Sequence, residues 1–176
     1  DEVRRSQGGN NNAWCQNNAL GWMHWQPDGD DLALRLFLRR LIQLRQHLAP
    51  LLNPEIPHLE GKPSRLDQPG HLHRQWHGLE LDEPDWASWS HTLAWSLHDH
   101  QNTPLLWCGM NAYCEAMTFA LPDSPSGWLQ VIDTARGPGD DLPPHPAAID
   151  NHRATLADRS LQLLVAEPLL RDTTLN

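Results

Sequence analysis

The chain has little lysine, little cysteine and no long apolar run. Lys62 is the only lysine, and 13 basic residues face 22 acidic ones, which gives a net charge of −9. A polyanion is bound by clustered basic side chains, so we expect neither nucleic acid nor an anionic membrane as a partner. No apolar run approaches the roughly 20 residues that span a bilayer, and no basic-then-apolar leader opens the chain. We therefore expect a cytoplasmic protein.

The three cysteines, Cys15, Cys108 and Cys114, show no C-x-x-C spacing. An odd number at this spacing indicates neither a disulfide framework nor a zinc knuckle, and a reducing compartment fits it. Cys108 near His98, or Cys114 beside Glu115, has the residue types of a nucleophile and its base. We expect both cysteines to fill the core instead, which argues against a cysteine hydrolase.

Tryptophan is abundant, with nine residues spread from Trp14 to Trp128. An indole offers a flat apolar face and one N–H donor, which suits the face of a pyranose ring, but core burial is its commoner use. We expect about two-thirds of these side chains in core or domain contacts, with the remainder free to line a sugar site.

One amphipathic helix is predicted. Gln26 to Asp31 forms a turn with an acidic N-cap, and apolar residues then recur every three or four positions over Leu32 to Leu48. Pro50 ends this helix. The apolar stripe consists of Leu34, Phe37, Leu41, Leu44 and Leu48. A single helix cannot bury its stripe alone, so either the rest of the chain or a missing partner domain covers it.

The later part of the chain predicts strands. Short segments with alternating apolar residues are separated by Pro, Gly, Asp or Asn, which is typical of an antiparallel sandwich. The predicted strands are Thr92–His98, Leu105–Asn111, Ala116–Leu121, Leu129–Thr134 and Ser160–Glu167. Residues 122–127 form a turn, and residues 137–146 a longer surface loop. The domain organisation is then a loop and helix over 1–52, a proline-rich crossing segment over 53–69 and an all-β unit over 70–176.

The stretch "GGNNNAWCQNN", Gly8 to Asn18, predicts a loop. Asparagine competes with the backbone for hydrogen bonds, so a run of Asn disfavours both helix and strand. Such side chains usually cap their own turns. Their amides can also donate to and accept from a ligand.

Several segments together resemble the C-terminal end of an isoamylase-type glycogen debranching enzyme of the α-amylase superfamily. They are "DEVRRSQGGNNNAWCQNN", "LIQLRQH", "QWHGLELDEPDW", "HTLAWSL", "NAYCEAMTFALP" and "WLQVIDT", and their order holds from Asp1 to about Glu167. The chain departs from the family at Asn17, Ala19 and His24, where acidic residues are usual, so substrate specificity does not transfer in detail.

The resemblance implies an α+β fragment: a mainly antiparallel β-sandwich C-terminal domain preceded by the last loop and helix of a (β/α)₈ barrel. Asp1-Glu2 would end the last barrel strand, residues 3–26 would form the loop after it, and Leu32–Leu48 would be the closing helix. The start at Asp1 rather than Met suggests a fragment or a processed product.

In such an enzyme the Asn-rich loop would lie on the rim of the glucan cleft. The resemblance implies substrate contacts for Gln7, Asn10, Asn11, Asn12 and Gln16, with a branched α-glucan and the upstream barrel as partners. Arg4 and Arg5 either pair with the preceding acidic residues or face water. Trp76, Trp86, Trp89 and Trp95 would be core or interdomain residues, unless an exposed pair of them stacks on a glucan.

Neither catalysis nor a cofactor is predicted for the chain alone. Asp1 and Glu2 are neighbours that point to opposite faces of a strand, so they cannot flank one glycosidic bond. The family's nucleophile, acid and third carboxylate lie on earlier barrel strands, and no position here matches them. The expected function is thus the C-terminal part of an enzyme that hydrolyses α-1,6 branch linkages. The alternative is a non-catalytic α-glucan-binding or structural module.

Two groups of histidines have the spacing of metal ligands, since alternate residues on a strand share a face. They are His71 and His73 with His77, and His98 with His100. No cysteine or carboxylate cluster completes either group, so we predict no metal site.

Overall fold

The computed structural model describes residues 4–23, 25–26, 28–49, 72–149 and 152–170. Asp1, Glu2 and Val3, the crossing segment over 53–69, and His71 lie outside the described residues. No helix in the part that the structure describes is long and apolar enough to cross a membrane.

Helix α1 covers Gly29–His47, ahead of the predicted start at Leu32. It begins there because Asp28 caps it: the Asp31 N–H donates to Asp28 Oδ1 at 2.9 Å, and the Asp28 N–H donates to Asp31 Oδ2 at 3.3 Å. This reciprocal capping satisfies two N–H groups that a helix start otherwise leaves unpaired. Asp30 and Asp31 also lie in the first turn, where the helix dipole favours negative charge.

Eight strands follow the helix in the described chain, and every strand pair is antiparallel. A six-stranded sheet has the order β1-β2-β3-β8-β5-β6, and β4 pairs with β7 in a two-stranded sheet. The strands are β1 His73–His77, β2 Thr92–His98, β3 Pro104–Asn111, β4 Met117–Ala120, β5 Trp128–Asp133, β6 Ala147–Ile149, β7 Arg153–Leu156 and β8 Ser160–Ala166. A short 3-10 helix over Glu167–Leu169 follows β8.

The predicted strands are therefore present, with ends shifted by at most one residue, and the mainly antiparallel fold is confirmed. The prediction missed β1, β6 and β7. Strand β1 has the polar sequence HRQWH, β6 is three residues long, and β7 has the sequence RATL. Strands β1 and β6 lack the alternation of apolar residues that marks a half-buried strand, and β7 alternates over only four residues, the shortest length at which the pattern counts.

The inner face of the large sheet packs against the small sheet. Trp107 on β3 and Leu164 on β8 face Phe119 on β4 and Leu156 on β7, and all four are fully buried. The Trp107 and Phe119 rings meet edge to face at a centroid distance of 5.8 Å. The Trp107 indole also lies along its own strand over Gly109, where a Cβ would come within 2.2 Å of the ring. Gly109 is thus required by close packing.

Helix α1 packs on the opposite, outer face of the large sheet. Leu44 and Leu48 are buried there with Leu97, Leu106 and Val165, and Phe37 and Leu41 pack against the same cluster. Arg40 Nη1 donates to the carbonyls of Gly139 and Leu142 at 3.0 and 2.9 Å. Of the two alternatives for the apolar stripe, the sandwich is therefore the one that covers it.

A hydrogen-bonded chain joins the edge strand β1 to β2 inside the protein. The Asp82 N–H donates to His77 Nδ1 at 2.9 Å, so His77 carries its proton on Nε2 and donates it to Ser96 Oγ at 2.6 Å. Ser96 in turn donates to His98 Nε2 at 2.7 Å, and His98 Nδ1 donates to the Asn102 carbonyl at 3.2 Å. Both imidazoles are thus neutral, in opposite tautomers.

Burial lowers the pKa of both histidines. For His77, desolvation is the largest cause; Asp82 opposes it and His98 adds to it. For His98, desolvation again lowers the pKa against the bond to the Asn102 carbonyl, and the neighbouring His73 lowers it further. A proton on His77 Nδ1 would face the Asp82 N–H donor, with Asp82 Oδ1 3.4 Å away, and a proton on His98 Nε2 would require the Ser96 hydroxyl to turn away.

The tryptophans are divided between the core and the surface of this chain. Trp107 and Trp128 are fully buried and Trp95 is partly buried, whereas Trp14, Trp22, Trp25, Trp76, Trp86 and Trp89 are exposed. The core of this chain therefore holds fewer than two-thirds of the tryptophans, and the share that lies in domain contacts stays a prediction. The exposed indoles are found in the N-terminal loop and at the β1 edge of the sheet.

Gly109→Ala should lower the free energy of unfolding by about 1–3 kcal/mol, because the added methyl group meets the buried Trp107 ring. Gly29→Ala is the matched control: no atom lies within 4 Å of its Cβ position, and alanine is the better helix former. Urea unfolding monitored by circular dichroism checks both variants. Equal stability of Gly109→Ala and the wild type would contradict the packing described here.

Stability should fall as the pH drops below about 6.5, the ordinary histidine pKa. The pKa values of His77 and His98 are lower in the folded state, so between the folded and unfolded values the unfolded chain binds more protons. In that range each histidine lowers the free energy of unfolding by at most about 1.4 kcal/mol for each pH unit that the pH falls. Above the pKa of the unfolded chain this loss is absent, and the full stability remains.

Urea unfolding between pH 8 and pH 5 measures this slope. The double variant with His77→Asn and His98→Asn should be less stable at pH 8 and should show a shallower decline towards pH 5. Parallel curves for the wild type and the double variant would refute the assignment to these two histidines.

Candidate functional site

Residues 4–22, the asparagine loop, form successive turns ahead of α1. Backbone bonds close turns from Asn10 to Gln7, from Gln16 to Ala13 and from Gly21 to Asn18. Gly8 and Gly9 have φ angles of 59° and 84°, and Cys15 has 67°. Glycine adopts this left-handed region without strain, which explains the glycine pair before the asparagines.

The asparagine side chains hold these turns. The Asn12 N–H donates to Asn10 Oδ1 at 2.9 Å, the Trp14 N–H donates to Asn12 Oδ1 at 3.1 Å, and the Leu20 N–H donates to Asn18 Oδ1 at 3.0 Å. Each bond spans two residues, as in an Asx turn. The capping role that asparagine usually has in loops is therefore present here.

The predicted glucan-contacting residues Gln7, Asn10, Asn11, Asn12 and Gln16 lie together on this loop. Asn10 Nδ2 donates to Gln16 Oε1 at 3.3 Å, and Gln16 Nε2 donates to the Asn12 carbonyl at 3.2 Å. With its amide oriented so that both ends are paired, Gln7 donates to the Asn10 carbonyl and accepts from Arg5. Asn11 is exposed, and within the described residues its side chain makes no hydrogen bond. Their contact with a glucan stays a prediction.

An open concavity of about 580 Å³ adjoins these amides. Its lining includes Arg5, Trp14, Gln16, Asn17 and Trp22. The Trp22 Nε1–H donates to Asn17 Oδ1 at 3.0 Å, which fixes that indole, and both tryptophans remain exposed. Flat aromatic faces beside amide and guanidinium groups suit a neutral polyhydroxylated ligand.

The sequence prediction did not include Arg5, Asn17 and Trp22 in this site. The tryptophans within a polar loop were the available signal, but the concavity depends on how the turns fold back. No Asp or Glu occurs between Arg4 and Gln26. The loop can therefore bind such a ligand but offers no carboxylate for acid–base catalysis.

Arg4 attaches the loop to the helix. Its Nη1 lies 2.7 Å from Asp30 Oδ2 and 3.8 Å from Asp28 Oδ1. The acidic residues at the start of α1 are therefore partners of Arg4, whereas Asp1 and Glu2 lie outside the described residues. All three side chains are exposed, so the ion pairs contribute about 0–1 kcal/mol and mainly fix orientation.

The cysteines do not form a nucleophilic site. Burial raises the pKa of the Cys108 thiol to about 11. Cys108 also pairs with Trp95 on the outer face, away from the inward His98. The expectation that Cys114 fills the core is wrong, because Cys114 is exposed in the turn between β3 and β4. A thiol at neutral pH is a weak nucleophile, so Cys108 is a packing residue.

Among the histidines singled out, the structure brings His73, His77 and His98 together. The His73 and His98 rings stack at 5.2 Å, and Ser96 lies between His77 and His98. His100 is exposed beyond the end of β2. Within the described ranges no group of three or more His, Cys, Asp or Glu could hold a metal ion.

Comparison with known proteins matches residues 75–166 to the family model described as Isoamylase 1-3, C-terminal. The chain is 38% identical over 124 residues to a glycogen debranching enzyme of Pectobacterium atrosepticum, covering 70% of this chain and 17% of that protein. It is 29% identical over 161 residues to the chloroplastic isoamylase 1 of Arabidopsis thaliana, covering 87% of this chain and 19% of that protein.

A shorter stretch of 51 residues, 29% of the chain, is 53% identical to 8% of a glycogen debranching enzyme of Dickeya chrysanthemi. The chain thus spans less than a fifth of the length of the curated relatives it matches. The family model covers more than half of the chain, over strands β1 to β8. The chain therefore belongs to the isoamylase family and corresponds to a C-terminal portion of an isoamylase-type enzyme.

Proposed function

We propose that this chain is the C-terminal part of a debranching enzyme that hydrolyses α-1,6 branch linkages in a glycogen-like α-glucan. Residues 1–52 form the last strand end, loop and closing helix of a (β/α)₈ barrel, residues 53–69 cross over, and residues 70–176 form the sandwich domain. The catalytic carboxylates belong to the upstream barrel, because this chain has no matching motif. The family match and the names of the relatives support this proposal.

The observation that carries the proposal is a second apolar side on α1. At 3.6 residues per turn, Leu32 projects opposite to Leu44 and Leu48, which the sandwich covers, and Ile42 and Leu36 lie on its two flanks. Leu32 and Ile42 are 53% and 56% exposed and line an open concavity of about 670 Å³ with Arg35 and Arg39. Exposed apolar side chains on the side of a helix away from its packed stripe offer that side to a second body of protein.

The barrel accounts for both sides. In a (β/α)₈ barrel a helix packs inward on the strands, and its other side faces outward, where an appended domain can cover it. The loop before a barrel helix also lies at the face where the active site forms. Arg4 and Asp30 hold the asparagine loop at the start of α1, which is consistent with a place on the rim of the cleft.

The concavity at Trp14 and Trp22, together with the exposed Asn11 of the same loop, would then contact the glucan. Its aromatic faces would stack on sugar rings, and its amides would bond to hydroxyl groups. The rest of the asparagine set would act indirectly, by holding the turns that present this surface.

The alternative is a non-catalytic α-glucan-binding module. The lack of any carboxylate in the asparagine loop is compatible with it. The two functions differ in what the open side of α1 requires, since a module that acts alone leaves that side exposed to water.

Complementation of a truncated relative tests the assembly. The Pectobacterium atrosepticum enzyme, produced without the segment that matches this chain, should release few reducing ends from glycogen, and this chain alone should release none. Mixing or co-expressing the two should restore release. Leu32→Asp should abolish the restoration, because a carboxylate would be buried at the interface without a partner.

Gly29→Asp is the matched control, since it adds the same carboxylate to the first turn of α1 where no atom lies within 4 Å of the Cβ position. Both substitutions place negative charge near the helix N-terminus, which the helix dipole favours, so the fold of either variant should be unaffected. Release of reducing ends by this chain alone, or equal restoration by both variants, would count against the proposed assembly. Glycogen binding without association would favour the module.

The restored enzyme also tests the asparagine loop. Asn11→Ala should raise the KM for glycogen severalfold without changing thermal stability, because in the described structure Asn11 serves no turn. Asn18→Ala is the control: it removes the acceptor of the Leu20 N–H but lies outside the predicted contact set. Steady-state kinetics and thermal melting separate the two. An unchanged KM for Asn11→Ala would remove this residue from the glucan contact.

A further inference from the structure

A cluster of exposed aromatic residues lies at the β1 edge of the large sheet, far from the asparagine loop in the sequence. This tryptophan surface consists of Arg74 and Trp76 on β1, Trp95 on β2, and Trp86 and Trp89 in the loop that joins these strands. Trp86 and Trp89 are 65% and 76% exposed. Large apolar side chains grouped in the open usually mark a binding site.

The loop that carries Trp86 and Trp89 is held in place at several points. The Ala87 N–H donates to Asp85 Oδ1 at 3.0 Å, and the Ser90 N–H donates to the Ala87 carbonyl at 3.0 Å. Near its start, the Asp82 N–H donates to the buried His77. The indoles are therefore presented on a fixed backbone, which lowers the entropy lost when a ligand binds.

The side chains of the tryptophan surface also support one another. The Trp86 ring meets the Trp76 ring at 5.6 Å with an angle of 73° between their planes. The Arg74 guanidinium lies 5.4 Å from the centroid of the Trp76 ring and 5.8 Å from that of Trp95. Stacking of this kind orients the guanidinium while leaving its N–H donors available at the edge of the aromatic surface.

Acidic residues border the same loop, and this favours a sugar over a protein. Glu80, Asp82, Glu83 and Asp85 are all exposed. Carboxylates are depleted at the centre of protein–protein interfaces, because burying them removes their hydration. Sugar hydroxyls, in contrast, donate to carboxylates and accept from a guanidinium while the ring face stacks on indole.

The angle between the rings indicates which sugar polymer fits. A β-1,4-linked chain is extended and flat, so successive rings stack on coplanar platforms. An α-1,4-linked chain curves, so successive residues present their faces at an angle. The Trp76 ring meets Trp86 at 73°, so a sugar chain that stacks on Trp86 finds no coplanar second ring to continue on.

We propose that the tryptophan surface is a second α-glucan-binding site, with Trp86 as its main platform. It rests on the proposed function for the choice of substrate, but not for its geometry. Arg4 of the asparagine loop lies beside Thr134, at the end of β5, and β1 is four strand spacings away in the sheet order. At about 4.8 Å per spacing, β5 and β1 are some 19 Å apart across the sheet. One branched glucan can occupy both, and the second contact raises the local concentration of branches at the cleft.

Maltoheptaose binding to the 176-residue chain tests the site, measured by titration calorimetry and by the retardation of the chain in native gels that contain glycogen. The wild type should bind maltoheptaose and should bind cellohexaose much more weakly. Trp86→Ala should weaken binding about tenfold, and Trp86→Phe should retain most of it. Because the Trp86 side chain is exposed, the melting temperature of each Trp86 variant should match that of the wild type.

Two further tryptophan variants separate this site from the proposed function. Trp25→Ala is the matched control, because Trp25 is 84% exposed and lines neither concavity. Trp14→Ala reports on the asparagine loop. Loss of binding in Trp14→Ala with wild-type binding in Trp86→Ala would overturn the second site and leave the proposed function standing. The reverse result would support the second site whatever the outcome of the complementation.

Other occupants of the tryptophan surface give different results. A wild type that binds no maltoheptaose, or that binds cellohexaose equally well, would overturn the proposal. So would a Trp86→Ala variant that binds sugar normally but no longer associates with the truncated relative, which would identify a protein interface. Analytical ultracentrifugation would reveal self-association of the chain that is lost in Trp86→Ala. Such self-association in a chain that binds no sugar would likewise overturn the glucan assignment.

Discussion

The contact between α1 and the outer face of the large sheet is the interaction on which the rest of the structure depends. Leu44 and Leu48 are almost completely buried against Leu97, Leu106 and Val165. Each fully buried leucine contributes about 1.5–3 kcal/mol, whereas the exposed Arg4–Asp30 pair contributes at most about 1 kcal/mol. The helix is therefore attached by apolar packing, and the ion pair only directs the loop that the helix carries.

This attachment fixes what the helix can do on its other side. With the Leu44 side held by the sandwich, the Leu32 and Ile42 side must face away from it. The asparagine loop enters α1 at the capped end, so its position follows from the same packing. A second body of protein that covers the open side would therefore lie in one fixed arrangement relative to both the loop and the sandwich. For this reason one assembly explains the open side of α1 and the position of the asparagine loop together.

The parts of the fold that local patterns specify were predictable. Strand β2 was placed at its observed bounds because TLAWSLH alternates clearly, and α1 was predicted from its stripe and its acidic cap. Strand β1 was missed because HRQWH is polar. Its histidines turn inward only through the register that pairs His73 with His98 and His77 with Ala94. The hydrogen bonds from His77 through Ser96 to His98 depend on that pairing between strands. The spacing of these residues along the sequence does not reveal the pairing.

The same distinction applies to the candidate site. Residue type predicted that Asn10 and Asn12 lie in a loop and that they cap turns or bind a ligand, but not which of these each side chain does. The concavity at Trp14 and Trp22, and the role of Arg5, depend on the way the turns fold back. Composition alone also cannot tell which tryptophans fill the core of this chain, as Trp107 and Trp128 do, and which remain on its surface.

The edge strand β1 connects the interior of the sandwich with the tryptophan surface. On its inner side His77 takes part in the buried chain through Ser96, and on its outer side Arg74 and Trp76 carry part of the aromatic cluster. An edge strand pairs with only one neighbour, so side-chain bonds contribute more to fixing it than they do for a central strand. The neutral His77 also accepts the Asp82 N–H at the start of the loop that presents Trp86. The buried histidines thus help to position the loop that carries the tryptophan surface, through hydrogen bonds made by neutral rings.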